Sequence, residues 1–532
     1  MVPANHRSIN NCEPVKTNIK PMNSSEKPVV TESEKGASSR RDFLKTGLTI
    51  AALSGLSGAT VLESCTHTNN KTPEGASHQP SGKADYTIHI KTGLIEVAPQ
   101  YIISTTTYNG QFPGPLLRFK EGQQVTVDIY NDTDTPEQFH WHGQFLPVDI
   151  DGSAEEGTPY IPAHGMRREV FVPGPSGFRF YHTHLVAGAN LNMGQYNGEV
   201  GPVYIEPKNP TAGHDREEFI VMKEFEPYFQ RGGDMAMDFL PGQPVNALQA
   251  LQEKAEKEHP ERPKGYEVGY KIFTINGKQL GHGAPIKVKQ GERILFHILN
   301  GSGSEIRSLA LPGHTFKVVA LDGNPVPNPA EVPLLWLGTA ERISAIVEMK
   351  NPGVWIMGDL ADDDRANGMG TIVEYEGLKG KPQWITPKPY KWDYLIFGGN
   401  GKKAQEPDET IHMLFAKDQA ADNGFNRWTI NGVAFDMMNM KPMFHLKKGK
   451  RYRLHMRNGS DDIHPMHLHR HSFEITSIGG QSTSGVIKDV VMLGGFQEMD
   501  IDFTANNPGL SLFHCHMQLH MDFGFMALFD YV

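Results

Sequence analysis

A unit made of a turn, a charged bend and an amphipathic strand ending in Asn occurs three times along the 532 residues. Its copies lie at 109–131, 275–302 and 430–460, and each is followed by a further similar strand, at 177–182, 353–358 and 509–514. Self-similarity of this kind is the sequence sign of repeated domains. We therefore predict three homologous domains, near 85–207, 208–385 and 386–532.

These domains are predicted to be all-β. From Asp85 onward, short runs rich in Val, Ile, Thr, Phe and Tyr alternate with Gly, Pro and Asn turns, which is typical of sandwich or barrel domains. Two segments differ from this pattern. Residues 246–264 have a helix-like composition, and residues 379–409 form a Pro-, Gly- and Lys-rich connection between the second and third domains.

Charge and cysteine content narrow the function. A net charge of -10 argues against a nucleic-acid partner. The chain has three cysteines, Cys12, Cys65 and Cys515, and the first two precede the β-rich region. The folded part therefore has a single thiol and no internal disulfide. Because Cys515 stands between two histidines, we interpret it as a metal ligand.

The N-terminal segment, residues 1–84, is predicted to be an export signal and a flexible tether. Residues 39–45 read Ser-Arg-Arg-Asp-Phe-Leu-Lys and precede a mildly apolar run, which resembles a twin-arginine signal. That pathway carries folded proteins, so we expect the protein in the periplasm or at the cell surface. Cys65 ends a stretch that loosely resembles a lipoprotein cleavage box, which leaves lipid anchoring to a membrane as an open alternative.

Histidine pairs point to a metal cluster. His-x-His occurs five times, at 140/142, 182/184, 467/469, 469/471 and 514/516. About one pair is expected by chance when matches are counted over a composition like this. On a strand, each pair places both imidazoles on one face, and crowded neutral imidazoles suit copper or zinc. The middle repeat has Gly358-Asp359-Leu360 at the matching place, so the cluster is predicted between domains 1 and 3.

The stretch from His514 to His516 joins two predicted sites. Strand alternation turns Cys515 to one face and His514 and His516 to the other. A thiolate with imidazoles suits a soft, electron-transferring copper, and the paired imidazoles suit a second copper cluster. The backbone of Cys515 would then link the two sites over about 10–15 Å.

Four motifs carry a family resemblance. His140-Trp141-His142-Gly143, Tyr181-His182-Thr183-His184, His464-Pro465-Met466-His467-Leu468-His469 and His514-Cys515-His516 with His520 resemble the signatures of the three-domain, laccase-like multicopper oxidases. The resemblance covers nearly all of 85–532. It implies three consecutive cupredoxin-like Greek-key domains and four copper ions per chain.

The resemblance also implies a role for each ligand residue. The mononuclear type 1 copper would be held by His464, Cys515 and His520. The type 2 copper would be held by His140 and His467. The type 3 pair would be held by His142, His182, His184, His469, His514 and His516. Arg470 and His471 have no place in this scheme and are expected beside the ligands or at the surface.

Two further residues are predicted near the coppers. Asp151 matches the acidic residue that follows the first motif in similar enzymes and is expected to relay protons for O₂ reduction, although a simple Asp-Gly turn is the alternative. A second acidic position is Met521 here, with Asp522 as the nearest substitute. The axial position of the type 1 copper falls on Phe525, which cannot coordinate, and we prefer it to the adjacent Met526.

The resemblance implies an oxidase with O₂ as acceptor. Phenols and aromatic amines are the expected donors, giving electrons through the exposed edge of a type 1 histidine. A cuprous or other metal-ion oxidase for copper detoxification is the alternative, because the methionines between 437 and 443 offer soft ligands for Cu(I). Core packing is the preferred interpretation of these methionines. A non-catalytic copper-binding envelope protein is the third reading, and the filled ligand positions disfavour it.

Overall fold

The computed structural model describes residues 82–210, 213–232, 246–258, 263–399 and 403–532. The predicted export signal and Cys65 lie outside these residues. Within them, no helix is both long and apolar enough to cross a membrane.

The first repeat forms two four-stranded sheets, with strand orders β2-β1-β4-β6 and β3-β8-β7-β5. Between strands it contains a helical turn, α1 (Val148–Asp151), and a 3₁₀ turn, Gly194–Tyr196. Its strands are β1 (Tyr86–Ala98), β2 (Tyr101–Tyr108), β3 (Leu117–Lys120), β4 (Val125–Asn131), β5 (His140–His142), β6 (Met166–Phe171), β7 (Gly177–His182) and β8 (Val200–Glu206).

The second repeat contributes six strands, in the order β15-β14-β17-β12-β9-β10, to a twelve-stranded sheet that continues into the third repeat, and it has two small sheets, β11-β19-β18 and β13-β16. The predicted helix is present as α2 (Asn246–Glu258), between the first two strands, and a short α3 (Asp362–Ala366) follows later. The strands are β9 (Arg216–Arg231), β10 (Tyr266–Ile275), β11 (Ile286–Val288), β12 (Arg293–Asn300), β13 (Arg307–Leu309), β14 (Phe316–Leu321), β15 (Asn324–Val332), β16 (Leu335–Leu337), β17 (Arg342–Glu348), β18 (Val354–Gly358) and β19 (Gly370–Tyr375).

The third repeat has strand orders β21-β20-β23-β28-β25-β26 and β22-β30-β29-β24-β27, and helix α4 (Gln518–Asp522). A 3₁₀ turn, Tyr394–Phe397, precedes it. The strands are β20 (Glu409–Asp422), β21 (Phe425–Ile430), β22 (Phe444–Leu446), β23 (Arg451–Asn458), β24 (His464–Leu468), β25 (Phe473–Ile478), β26 (Gln481–Lys488), β27 (Val490–Leu493), β28 (Glu498–Thr504), β29 (Ser511–Cys515) and β30 (Met526–Tyr531).

The same topology occurs three times. The first strand of each repeat, β1, β9 or β20, pairs antiparallel with the next strand and parallel with the amphipathic strand, β4, β12 or β23. A short strand also pairs parallel with the last strand in each repeat: β3 with β8, β11 with β19, and β22 with β30. The prediction of three all-β domains is confirmed, while their exact limits stay a prediction.

Alternation of side chains explains why these segments are strands. In β23, Tyr452, Leu454, Met456 and Asn458 are buried and the residues between them are partly exposed, which is the period of a strand with one face on the core. The connection at 379–409 is more firmly held than its composition suggests, because Trp392, Tyr394 and Phe397 are buried in the core.

Candidate metal centres

Two strand pairs bring the predicted histidines together. In the first domain, β5 lies against β7 with His140 opposite His182. In the third, β24 lies against β29 with His467 opposite His514. The residues at the ends of these strands complete a buried cluster of eight histidines: His140, His142, His182, His184, His467, His469, His514 and His516.

The cluster lies between the first and third domains. The ring centroids of His142 and His467 are 3.8 Å apart, and those of His140 and His469 are 4.2 Å apart. The ring centroids of His184 and His514 are 5.4 Å apart. No described residue of the middle domain supplies a histidine to this group. The structure thus brings together all eight residues predicted for the type 2 and type 3 coppers.

Hydrogen bonds to main-chain oxygens orient several rings. His140 Nδ1 donates to Asp151 O (2.7 Å), His182 Nδ1 to Thr183 O (2.7 Å) and His514 Nδ1 to Cys515 O (2.8 Å). A carbonyl oxygen only accepts, so Nδ1 carries the hydrogen and the Nε2 lone pair is free to bind a metal.

The inward nitrogens fit a metal. Burial and neighbouring histidines lower the pKa of the rings of His142, His182, His467, His469, His514 and His516, which keeps these imidazoles neutral. Among the described residues, several buried ring nitrogens have no hydrogen-bond partner: Nε2 of His140, His184, His467 and His516. Buried imidazoles with a free ring nitrogen are a donor set that suits copper.

Carboxylates surround the cluster. Asp151 is fully buried, and its Oδ2 lies 3.0 Å from His469 Nδ1 and 3.2 Å from His140 Nδ1. Burial raises the pKa of Asp151, but the contact with His140 outweighs burial and the net shift of the Asp151 pKa is downward. Burial and the charge of Asp151 raise the pKa of the neighbouring Glu156 well above its usual range. These opposite shifts favour a proton on Glu156 over a proton on Asp151.

Asp151 also lies in an Asp-Gly turn, which was the alternative interpretation of this residue. It ends α1 and precedes Gly152, which has φ 97. A Cβ at Gly152 would lie 1.9 Å from Phe139 O, so only glycine fits there. The turn places the carboxylate beside the histidines, so the two interpretations are compatible, and the proton relay itself stays a prediction.

Three acidic residues near the cluster were missed in the sequence. Glu155 lies 3.3 Å from His184 Nδ1, and this contact outweighs burial and lowers the pKa of Glu155 to about 2. Glu156 lies 3.6 Å from His469 Nδ1, and Asp489 Oδ1 lies 3.1 Å from His142 Nε2. The Glu155-Glu156 pair just after the Asp151 turn was a usable signal, whereas nothing in the sequence distinguishes Asp489 from an ordinary strand-end carboxylate.

The thiol lies at a second, separate group of ligands. Cys515 Sγ is 3.8 Å from His464 Nδ1 and 3.6 Å from His520 Nδ1, and all three residues are buried. His514 Nε2, on the other side of the same strand, lies 3.1 Å from His469 Nε2. Alternation along β29 therefore gives the two-sided arrangement expected from the sequence.

The prediction that a type 1 histidine has an exposed ring edge is wrong. His464 is 0% exposed and His520 only 2%. Trp428 covers both rings, with its centroid 4.8 Å from His464 and 4.3 Å from His520. Glu267 of β10 lies 3.6 Å from His520 Nε2. Trp428 is itself only 1% exposed, so among these residues the Glu267 side chain, 22% exposed, is the one that a donor can contact.

Phe525 and Met526 face different sides. The Phe525 ring lies 4.8 Å from the ring of His464 and belongs to the core that contains Cys515. Met526 packs in a separate small cluster with Leu512, Met521 and Leu528. This geometry agrees with the preference for Phe525 at the axial position, which stays a prediction.

Arg470 and His471 are buried beside the ligands and are not at the surface. His471 Nδ1 donates to the carbonyl of His469 (3.0 Å), and its Nε2 contacts the Tyr531 hydroxyl (2.8 Å). The Arg470 guanidinium donates to main-chain oxygens of Leu146 and Pro508. Both residues therefore hold the loops around His469.

Asp522, the substitute for the second acidic position, is buried and accepts hydrogen bonds from the backbone amides of Ala187 (2.9 Å) and Gly188 (2.7 Å) and from Gln518 Nε2 (2.8 Å). Burial raises the pKa of Asp522 to about 7, against these hydrogen bonds. The carboxyl thus lies against the loop that follows His184.

The methionine segment is divided between core and surface. Met437 and Met443 pack against apolar clusters. Met438 is 93% exposed and Met440 is 44% exposed. Core packing therefore accounts for Met437 and Met443 but not for Met438 and Met440.

Comparisons with known proteins identify the family. Three family models, each described as multicopper oxidase, match residues 90–210, 246–377 and 406–532, together more than two thirds of the chain. The multicopper oxidase MmcO of Mycobacterium tuberculosis is 27% identical over 81% of this chain and 84% of its own. A copper resistance protein A homolog of Pseudomonas syringae pv. tomato is 23% identical over 79% of this chain and 87% of its own.

A solved structure shows the same fold. The laccase-like multi-copper oxidase of Ochrobactrum sp. is 22% identical, with a TM-score of 0.62, over 84% of this chain and 96% of its own. With the three family matches and the three-domain architecture, this chain belongs to the multicopper oxidase family, the copper-dependent oxidoreductases that use O₂.

Proposed function

We propose that this protein is a laccase-like oxidase that couples one-electron oxidation of phenols or aromatic amines to four-electron reduction of O₂ to water. One observation carries the proposal: β29 places Cys515 within 3.8 Å of two histidines on one side and His514 in the eight-histidine cluster on the other. Such a strand connects a site that takes electrons singly with a site that can use several.

Copper, when bound, supplies reversible one-electron chemistry at both sites. His464, Cys515 and His520 would hold the type 1 ion. His140 and His467 would hold the type 2 ion. The type 3 pair would be held by His142, His182, His184, His469, His514 and His516, which gives four ions per chain.

Carboxyl side chains of the protein lie where protons must be accepted from the electron donor and delivered for O₂ reduction. A phenol loses a proton as it loses an electron, and the Glu267 carboxylate, 22% exposed and 3.6 Å from His520 Nε2, is placed to accept that proton. At the other site, O₂ reduction needs protons, and Glu156, whose pKa is raised, lies beside Asp151, which contacts His140 and His469. The covalent link from Cys515 to His514 joins the two half-reactions.

A cuprous-ion oxidase is the second candidate. The exposed thioethers of Met438 and Met440 are soft ligands suited to Cu(I). A relative bears the name copper resistance protein A homolog.

Steady-state oxidation of a phenol and of Cu(I), side by side on copper-loaded protein, separates the candidates. The laccase-like function predicts a higher kcat/KM for the phenol, and no loss in a Met438→Leu/Met440→Leu variant. Preference for Cu(I), lost in that variant, would establish the second candidate. Copper binding without O₂ uptake from either donor would leave the non-catalytic envelope protein.

We also propose that the chain is exported by the twin-arginine pathway to the periplasm or cell surface. The support is the Arg40-Arg41 pair ahead of Phe43-Leu44-Lys45. Changing both arginines to lysine should keep the protein inside the cell. A Cys65→Ser variant that leaves the membrane fraction would establish lipid anchoring, whereas an unchanged distribution would rule it out.

A further inference from the structure

We propose that Asp489, clamped by Arg342 of the middle domain, is the residue that positions His142 in the copper cluster. This inference rests on the proposed function, because it assumes that the eight-histidine cluster binds copper. It gives the middle domain, which supplies no predicted ligand, a direct part in that site.

Asp489 fixes two rings from two different domains. It lies between β26 and β27 and is fully buried. Its Oδ1 accepts from His142 Nε2 (3.1 Å), and its main-chain oxygen accepts from His467 Nδ1 (2.7 Å). The two rings are stacked with centroids 3.8 Å apart and an interplanar angle of 16°. One residue therefore sets the relative position of a first-domain and a third-domain imidazole.

This contact also selects the binding nitrogen of His142. With Nε2–H donated to the carboxylate, the lone pair is on Nδ1, which lies 3.4 Å from His182 Nε2 inside the cluster. His140, His182, His467 and His514 have the opposite arrangement, with Nδ1 on a carbonyl. His142 thus differs from these four rings, because a carboxylate and not a carbonyl fixes its orientation.

Arg342 holds that carboxylate in place. Its Nη1 donates to Asp489 Oδ1 and its Nη2 to Oδ2, both at 2.6 Å, and Arg179 Nη1 donates to Oδ2 at 3.0 Å. All three side chains are 0% exposed. A two-pronged guanidinium fixes the plane of a carboxylate as well as its charge, which a lysine cannot do.

The glycine of the first motif is explained by the same contact. Gly143 follows His142 with φ 79. A Cβ at this position would lie 2.6 Å from Asp489 Oδ2 and 2.8 Å from Arg342 Nη2. The chain must therefore lack a side chain here for the clamp to reach His142.

An Arg342→Gln variant, with Arg307→Gln as matched control, tests the proposal. Arg307 is also a middle-domain arginine, 2% exposed and paired with Glu224 and Asp364. Its ion pairs are with carboxylates and its guanidinium packs on the Phe273 ring, so these contacts include no copper-cluster histidine. Copper retained per chain against a competing chelator is measured together with the blue type 1 absorption and the thermal midpoint of the apo-protein.

Both variants should lower the thermal midpoint. Only Arg342→Gln should weaken cluster copper, by about 10–100-fold in affinity, with the type 1 band intact. Arg342→Lys should restore this in part and serves if Arg342→Gln does not fold. Equal copper retention in Arg342→Gln and Arg307→Gln, or loss of type 1 and cluster copper together, would overturn the positioning role. Wild-type protein that takes up no cluster copper would instead contradict the proposed function.

An independent observation supports a second proposal, a surface site for a divalent transition metal on the outer face of the third domain. His412 of β20 is paired with His455 of β23, which is paired with Asp500 of β28, so the three side chains form one row across the sheet. The two rings lie 5.2 Å apart at 72°. The type 1 pair, His464 and His520, lies 5.2 Å apart at 68°.

The row has the support expected behind a metal ligand. His455 Nδ1 donates to Asp500 Oδ1 (2.6 Å), which leaves Nε2 for a metal, and His412 is exposed. Two imidazoles backed by a carboxylate, with water completing the shell, suit Zn²⁺, Cu²⁺ or Ni²⁺.

Titration of the copper-loaded protein with Zn²⁺, followed by native mass spectrometry, tests this site. Wild type should bind one additional Zn²⁺ per chain. His445→Gln is the matched control, because His445 has the same kind of carboxylate partner, Asp530 at 2.5 Å, while no histidine ring among the described residues packs against it. His412→Gln should lose the additional ion and His445→Gln should keep it. Equal binding by the two variants, or no additional ion in wild type, would overturn the proposal.

Discussion

Replacing Phe525 with methionine tests the axial position of the type 1 site. The Phe525 side chain is 0% exposed, with its ring 4.8 Å from His464 and 5.0 Å from Phe415. It also stacks on Trp428 at 5.5 Å and 6°. A phenyl ring cannot coordinate, so the copper would have only His464, Cys515 and His520, whereas a thioether could reach it from the same place.

The size of the effect follows from the preference of the sulfur for Cu(II). A weak axial bond that favours Cu(II) by about 2 kcal/mol lowers the potential by about 90 mV, because a one-electron couple shifts by about 59 mV per tenfold change in equilibrium constant. Methionine is flexible and near phenylalanine in volume, so we expect a stability cost of about 1 kcal/mol.

Redox titration of the blue absorption measures this shift. The control is Met526→Leu, a volume-conserving change in the separate cluster with Leu512 and Leu528, which should leave the potential and spectrum unaltered. An unchanged potential in Phe525→Met would refute the reasoning. A large drop or spectral change in Met526→Leu would transfer the axial role to Met526.

Three further variants test the remaining assignments. Cys515→Ser should abolish the blue absorption and the oxidase activity together while the fold survives, and substrate oxidation by this variant would contradict the electron path. Asp151→Asn should slow O₂ reduction and leave reduction of type 1 copper nearly unchanged in stopped-flow measurements; equal slowing of both half-reactions would remove the relay. Glu267→Gln should lower kcat/KM for phenols by about 10²-fold and leave a donor that releases no proton unaffected; an equal loss for both donors would refute proton acceptance by Glu267.

The sequence predicts the parts of the structure that depend on local pattern. Strand alternation places Cys515 and His514 on opposite faces, and the threefold repeat predicts three domains. The His-x-His spacing identifies the cluster because ligands two residues apart on a strand share a face. These rules need only neighbouring residues and a shared topology.

Contacts between distant segments could not be predicted this way. Glu267 and Trp428 cover His520 only because β10 and β21 meet at the Tyr266 to Phe425 bridge. Arg342 contacts Asp489 because the second and third domains pack against each other. The spacing of a single arginine or carboxylate in the sequence does not indicate its partner in the fold. The burial of the His464 and His520 rings and the contact between Arg342 and Asp489 were therefore not predicted.

The ratio of electrons donated to O₂ consumed tests the central claim most directly. Copper-loaded protein is supplied with a one-electron donor in an oxygen-electrode cell, and hydrogen peroxide is measured in parallel. If Cys515 and the eight-histidine cluster work as one oxidase, four donor molecules should be oxidised for each O₂, with no peroxide. Two donors per O₂ with accumulating peroxide would contradict the account.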